Sequence, residues 1–341
     1  RSRVSCDSRP LMLMQASSAS AVCTALIFVP AVVLPAKRCL IQIIQLKYKK
    51  SSKFTRLFYP QKFVAQFSYN GRMTFSRSWY LPASLLALMF ILMLGSSLGD
   101  SAIMDELAHI PAGYSYVKLQ DYRLNPEPPP LVKALAGIPL LFLKLNYPLN
   151  DISWTPDVNG QWVQGTKFLY ESGNNPDKIL FWTRLPMILL TVLTGGLIYW
   201  WVKTRFGRKV GLMTLTLFAF SPTILAHGRY VTTDIGATLG FFLGIATFIQ
   251  FLESPTRKNI LIAGVCFGIA ELLKFSTFLL IPTYAALVIF WAISRMELSY
   301  GARAKEGLKL IGKTILVGVA GTALIWAIYG LFMLNYPVER Q

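Results

Sequence analysis

Lys203-Thr204-Arg205-Phe206-Gly207-Arg208-Lys209 sets four positive charges around a glycine, directly after the apolar run Phe181–Val202. A run of that length can cross the ~30 Å of a bilayer's hydrocarbon. A short loop this basic stays on the cytoplasmic side. The turn therefore fixes the inner end of one crossing, and the rest of the chain is read outward from it.

Downstream, Val210–Ala226 goes back out and ends at His227-Gly228-Arg229-Tyr230-Val231-Thr232-Thr233-Asp234. Ile235–Leu252 returns to Glu253-Ser254-Pro255-Thr256-Arg257-Lys258, basic again. Ile260–Leu273 and Phe275–Ile293 form a pair hinged at Lys274, and the loop 294–310 carries Arg295, Arg303, Lys305 and Lys309. Ile311–Leu331 then leads to Asn335-Tyr336-Pro337 outside. Upstream, Tyr80–Leu98 is the first crossing, with Arg77 before it and Asp100 after it. Seven crossings result, and they put Asp105, Glu106 and Asp234 on one outer side. Between the first two lies a polar stretch, 100–180. Within it Leu131–Leu145 is apolar but too short to cross, so it is expected to be an interfacial helix. Residues 146–178 are expected to be exposed loop.

Composition agrees. Hydrophobic residues make up 54% of the 341 and charged residues 15%, well under the about 25% of an ordinary globular chain. The net charge of +18 does not indicate nucleic acid. Residues 1–77 hold thirteen Lys or Arg against one acid, Asp7, and the rest of the basic residues sit in short loops, the pattern of anchoring against an anionic leaflet. No zinc-finger spacing or recognition helix occurs. Two domains are expected: a basic extension, 1–72, and a transmembrane domain, 73–341. Met73 is read as the natural start, the rival reading being an amphipathic extension on the inner leaflet. Three of the four cysteines fall in the extension, so cysteine usage carries no disulfide or metal signal.

Chemistry is confined to a few places. In Asp105-Glu106-Leu107-Ala108-His109, a helix would put Asp105 and His109 on one face and Glu106 on another. A carboxylate there can take a proton or, with a second ligand, hold a divalent cation, so Asp105 and His109 are candidate metal ligands. The bland alternative is a solvated acidic turn. Asp234 can cap a helix or serve a site. Arg184, Arg229 and Lys274 are cations costly to place beside lipid and suited to a phosphate, with snorkelling as the alternative for Arg184 and Lys274. In Asp121-Tyr122-Arg123-Leu124-Asn125-Pro126-Glu127-Pro128-Pro129-Pro130, Tyr122, Asn125 and Glu127 are candidate contacts to an acceptor or sugar, and the prolines stiffen the chain. Nucleotide loops, zinc helices and nucleophile elbows are missing. No nucleotide cofactor is expected, and a lipid-dissolved activated substrate is.

These motifs, with Arg184-Leu185-Pro186, Phe220-Ser221-Pro222-Thr223 and Leu273-Lys274-Phe275-Ser276, resemble the GT-C glycosyltransferases, in the branch of protein mannosyltransferases and aminoarabinose transferases. The resemblance covers the chain from about Trp79 to its end. It implies an all-α GT-C transmembrane bundle whose extracytoplasmic first loop contains interfacial helices. It also implies inverting transfer of a sugar from a polyprenyl-phosphate donor to a hydroxyl on a protein, lipid or glycan acceptor, in a multi-pass protein of the plasma membrane. Asp105 would be the general base, Glu106 and Asp234 would position the acceptor or a metal, and Lys274, Arg229 or Arg184 would meet the phosphate. Members of the branch usually have further spans, so the chain is expected to be truncated at its C-terminus. The rival classes are a lipid-linked saccharide flippase, which would favour polar groups at mid-membrane and inverted repeats, and a non-catalytic scaffold.

Overall fold

Helices form wherever the apolar runs stand, and no strand occurs among the described residues. The computed structural model describes residues 79–154, 160–294 and 299–337. The extension 1–72 and Met73 lie outside them. Every contact given below lies within the unit that holds Pro82–Gln341.

The helices are α1 (Tyr80–Ser97), α2 (Met104–Lys118), α3 (Leu131–Gly137, continued by a 3-10 turn Ile138–Phe142), α4 (Gln161–Thr166), α5 (Pro176–Phe206), α6 (Arg208–Ala219), α7 (Pro222–His227), α8 (Asp234–Glu253), α9 (Arg257–Leu273), α10 (Leu280–Ser294) and α11 (Tyr300–Phe332). Among the described residues, five segments are long and apolar enough to cross a membrane: α1, α5, α8, Phe275–Ile293 and α11. The Leu131–Phe142 stretch is not, in keeping with an interfacial helix.

Two of the seven expected crossings differ. The third is broken into α6 and α7, because Pro222 crowds the helical region of the residue before it. Ser221 takes extended angles (φ −66°, ψ 119°) and its hydroxyl caps α7 instead. The fifth, α9, has 17 residues, about 26 Å at 1.5 Å each. A third correction concerns residues 146–178, which are not simply exposed. Trp154, Phe168 and Leu169 are buried, and the rings of Tyr114, Tyr147, Trp154 and Phe168 pack together, Tyr114 stacked on Phe168 and Tyr147 edge-on to Trp154 and Phe168. The polar composition of this stretch hides an aromatic core.

α5 starts on an Asn175 cap, whose side chain accepts from the Lys178 amide at 3.0 Å, with Pro176 in the first turn. Gly207 ends it at φ 91°, a left-handed angle that glycine reaches without strain. The central helix is α8. Gly236, Gly240 and Gly244 recur every four residues along one face, so they line up. A methyl at Gly236 would meet Val132 at 2.7 Å, and one at Gly244 would meet Leu280 at 2.5 Å. Missing side chains let neighbouring side chains close onto the α8 backbone, a usual device between helices in lipid. Gly264 and Gly268 do the same for α9 against Ala320 and Gly321 of α11.

Side-chain contacts sort the helix ends. Arg205 pairs with Glu253 at 2.7 Å, and Lys313 donates to the Pro255 carbonyl at 2.9 Å, so these basic loops meet at one end. At the other, Lys274 reaches Asp234, and the Asn335 amide donates to the Gln120 carbonyl at 3.0 Å. That is the sorting of loops expected from alternation and charge.

Candidate active site

The acidic pair opens α2. Glu106 turns inward, where one oxygen accepts from the Ile103 amide (3.1 Å) and from Arg184 Nη2 (2.7 Å). The other accepts from Arg184 Nε (2.9 Å) and from the Val231 amide (3.1 Å). Arg184 fills its remaining donors with the carbonyls of Ser97 (3.0 Å), Asp100 (3.1 Å) and Ser101 (2.9 Å). A guanidinium has five N–H groups, and all five are placed. The side chains are 0% and 1% exposed. Arg184 is therefore not a phosphate ligand, and Glu106 is not an open catalytic acid. Together they are a buried brace that ties α5 to the start of α2.

The brace extends to Arg229. Its Nη1 bonds Asp100 Oδ2 at 2.6 Å and the Ser96 carbonyl, and its Nη2 bonds the Tyr230 hydroxyl at 2.6 Å. The Tyr230 ring lies between the guanidinium carbons of Arg184 (5.1 Å) and Arg229 (4.5 Å). Arg229 is thus already neutralised by Asp100, which places it in the brace rather than in an open phosphate seat. His109 completes the stitching. Its Nδ1 donates to the Val231 carbonyl at 2.7 Å, the direction a carbonyl partner dictates, and burial pushes its pKa down. The ring is neutral, with the lone pair on Nε2.

This leaves Asp105 distinct. It is exposed, and it makes no hydrogen bond or ion pair among the described residues. It stands one turn from His109, whose charge it favours, and the partial positive charge of the helix N-terminus suits it.

Asp234 opens α8, but capping does not occupy it. Oδ1 accepts from Lys274 Nζ at 2.7 Å, and Oδ2 lies 3.6 Å from His227 Nδ1. The pair is 20% and 22% exposed, shielded yet reachable. Lys274 is the joint between α9 and the 3-10 turn Phe275–Leu279. No direct bond joins Asp105 to Asp234. The connection runs through Val231, which is held by Glu106 and His109 and precedes Asp234 by three residues, at most about 11 Å of chain.

The 121–130 loop is mostly self-supporting. Arg123 grips Asp121 (2.9 and 2.6 Å) and lies over Trp154. The Tyr122 hydroxyl donates to the carbonyls of Pro126 (3.2 Å) and Pro128 (3.1 Å). Lys133 is fully buried. Its ammonium reaches the Asn125 carbonyl (2.5 Å) and side-chain oxygen (3.2 Å), the Pro128 carbonyl (2.7 Å) and the Tyr116 hydroxyl (3.0 Å). The Tyr122 hydroxyl and both Asn125 oxygens are therefore engaged within the loop itself. Of the three candidate contacts in the loop, Glu127 is the exposed one.

Sequence reading missed two residues. Lys133 could have been found as a lysine set in an apolar helix directly after a proline run, and His227, noted in the sequence beside Asp234, is given no role of its own there. As for a metal, no group of three His, Cys, Asp or Glu could hold one among the described residues. Asp105 and His109 supply two side-chain ligands at most.

Residues 177–326 match the family model described as dolichyl-phosphate-mannose-protein mannosyltransferase. That range contains Arg184, His227, Arg229, Asp234 and Lys274, and it excludes Asp105. No curated protein matches. Among solved structures the chain is similar to one described as "Structure of S. cerevisiae protein O-mannosyltransferase Pmt1-Pmt2 complex bound to the sugar donor", with a TM-score of 0.51 and 18% identity. The likeness covers 78% of this chain and 34% of that one, so this chain spans about a third of its length. In fold, and along residues 177–326, the chain is similar to protein mannosyltransferases, the likeness its motifs imply.

Proposed function

We propose that the chain carries the helical core of an inverting glycosyltransferase, in which a sugar moves from a polyprenyl-phosphate donor to the hydroxyl of a protein, lipid or glycan. The observation that carries this reading is the half-buried Asp234–Lys274 pair at the helix rim, three residues along the chain from the segment that anchors α2 and its open acid, Asp105. A lipid phosphate arriving at that rim would meet a cation already held in place. The family description and the sugar donor named for the similar yeast structure support the choice of donor.

In this mechanism Asp105 takes the proton of the acceptor hydroxyl. The oxygen attacks the anomeric carbon, and the bond from that carbon to the phosphate oxygen breaks. The electron pair leaves with the phosphate, whose charge Lys274 stabilises. One displacement inverts the centre, and no carboxylate nucleophile is involved. Asp234 and His227 share the task of holding Lys274 at the rim. Glu106, Arg184 and His109 act at a distance, by fixing the first turn of α2.

The basic loops at the opposite helix ends support an extracytoplasmic rim, in a multi-pass protein of the plasma membrane. The test is transfer from a polyprenyl-phosphate sugar by Asp105→Asn. A fall of about 10²- to 10⁴-fold is expected; undiminished turnover removes Asp105 as the base.

A further inference from the structure

Two cavities lie end to end between α10 and α11. The first, of about 240 Å³, is at the end where the basic loops meet, with Trp291 of α10 and Glu306, Lys309 and Lys313 of α11 in its wall. The second, of about 410 Å³, continues along the same helices, from Ile289 to Ile281 and from Ile311 to Gly318. Their linings adjoin on α11, Lys313 belonging to the first and Thr314 to the second.

The second cavity is apolar. Ile281, Ile289 and Ile315 line it and are each more than half exposed, so it opens to the side where lipid stands. The Tyr284 ring backs it, stacked on Phe248 at 3.8 Å. The Thr314 hydroxyl is turned back to the Leu310 carbonyl at 2.9 Å. A methyl added to Gly318 would meet nothing within 4 Å. The cavity runs along about 12 Å of α10 at 1.5 Å per residue, a little under half of a ~30 Å hydrocarbon core. That is the depth of one leaflet.

The first cavity carries both signs of charge in a fixed order. Glu306, Lys309 and Lys313 are spaced i, i+3 and i+7, which puts them on one face of α11. Going inward, an acid comes first, a cation about 4.5 Å deeper, and a second cation about 6 Å deeper again. Neither Glu306 nor Lys309 makes a hydrogen bond or ion pair among the described residues. Lys313 spends one donor on the Pro255 carbonyl at 2.9 Å, and an ammonium has three. Glu253, across the cavity, is already paired with Arg205. Trp291 stands beside them, an amphipathic ring of the kind found at head-group level.

A phospholipid with a primary amine in its head group has the complementary order: ammonium outermost, phosphate beneath it, acyl chains below. We propose that this groove seats one such lipid. Its ammonium meets Glu306, its phosphate lies between Lys309 and Lys313, and one acyl chain fills the apolar cavity. A purely anionic head group would leave Glu306 facing like charge, and a quaternary amine has no N–H to give it. The inference needs only that this end of the bundle lies at a leaflet surface, and it does not rest on the transferase reading.

The test is native mass spectrometry of the full chain, stripped of lipid in detergent. It is then titrated with dioleoyl phosphatidylethanolamine, phosphatidylcholine or phosphatidylglycerol. One ethanolamine lipid should bind per chain, about fivefold more tightly than the others. Lys309→Ala should weaken it by about the same factor, the worth of one basic residue at a leaflet surface. Glu306→Lys should turn the preference to phosphatidylglycerol. Gly318→Leu should weaken all three lipids by filling the tail cavity. Equal binding of the three by wild type, or an unchanged order in Glu306→Lys, overturns the proposal. So does wild-type affinity in Gly318→Leu, or displacement of the ethanolamine lipid by polyprenyl phosphate, which would give the groove to a donor tail. Should a variant fail to fold, the wild-type ranking and that competition still decide.

Discussion

Two ion pairs in this molecule have the same nitrogen–oxygen distance, 2.7 Å, and opposite characters. Glu106–Arg184 is sealed, with every guanidinium donor spent, whereas Asp234–Lys274 is open to about a fifth of its surface and its ammonium has donors to spare. Distance therefore says nothing about role. What separates the pairs is the number of partners left unmade: a saturated cation stabilises the fold, and an unsaturated one at a rim can take a ligand.

The sharpest way to break that contrast is to truncate each cation and watch which property fails. Arg184→Ala should cost about 3–5 kcal/mol, because it strands the Glu106 carboxylate in a dry site. Unfolding in detergent should show this as loss of folded protein, with Arg184→Lys giving little rescue, since an ammonium cannot make the bidentate contact. Lys274→Ala should spare stability to within about 1 kcal/mol, as partly exposed pairs do, while turnover falls about 10²- to 10³-fold. If the two variants exchanged outcomes, the assignment of roles would be wrong.

Smaller effects refine the comparison. Lys133→Met should loosen the 121–130 loop by about 1–3 kcal/mol, leaving the Asn125 and Pro128 carbonyls unsatisfied, and protease cutting within that loop would report it. His109 supplies a pH arm. Its folded pKa lies below the unfolded value of about 6.5, so the unfolded chain binds more protons on acidification. Stability should thus fall as pH drops below about 6.5, by at most about 1.4 kcal/mol per unit. The matching slope should vanish in His109→Gln.

Sequence brought the reader to Asp234 and Lys274 by span parity, since both fall at the same end of alternating crossings. It also placed Asp105 and His109 one turn apart on α2. It could not separate the two kinds of cation. Arg184 is saturated by backbone carbonyls at 97, 100 and 101, which leave no trace in residue type. Asn125 and Tyr122 looked like ligands because they are polar in a loop, and their true partners are again main-chain atoms and a distant lysine. The broken third crossing was legible in Ser221-Pro222. The aromatic core behind residues 146–178 was masked by the asparagines and aspartates around it.

The glycines of α8 have one more consequence. A methyl on Gly236 would press on Val132 and, at 3.3 Å, on Cβ of Leu273, the residue just before Lys274. α8 thus works as a shim of set thickness beneath the rim that holds Asp234 and Lys274. Thickening it by a single carbon would pry the ammonium away from its carboxylate without altering any charge.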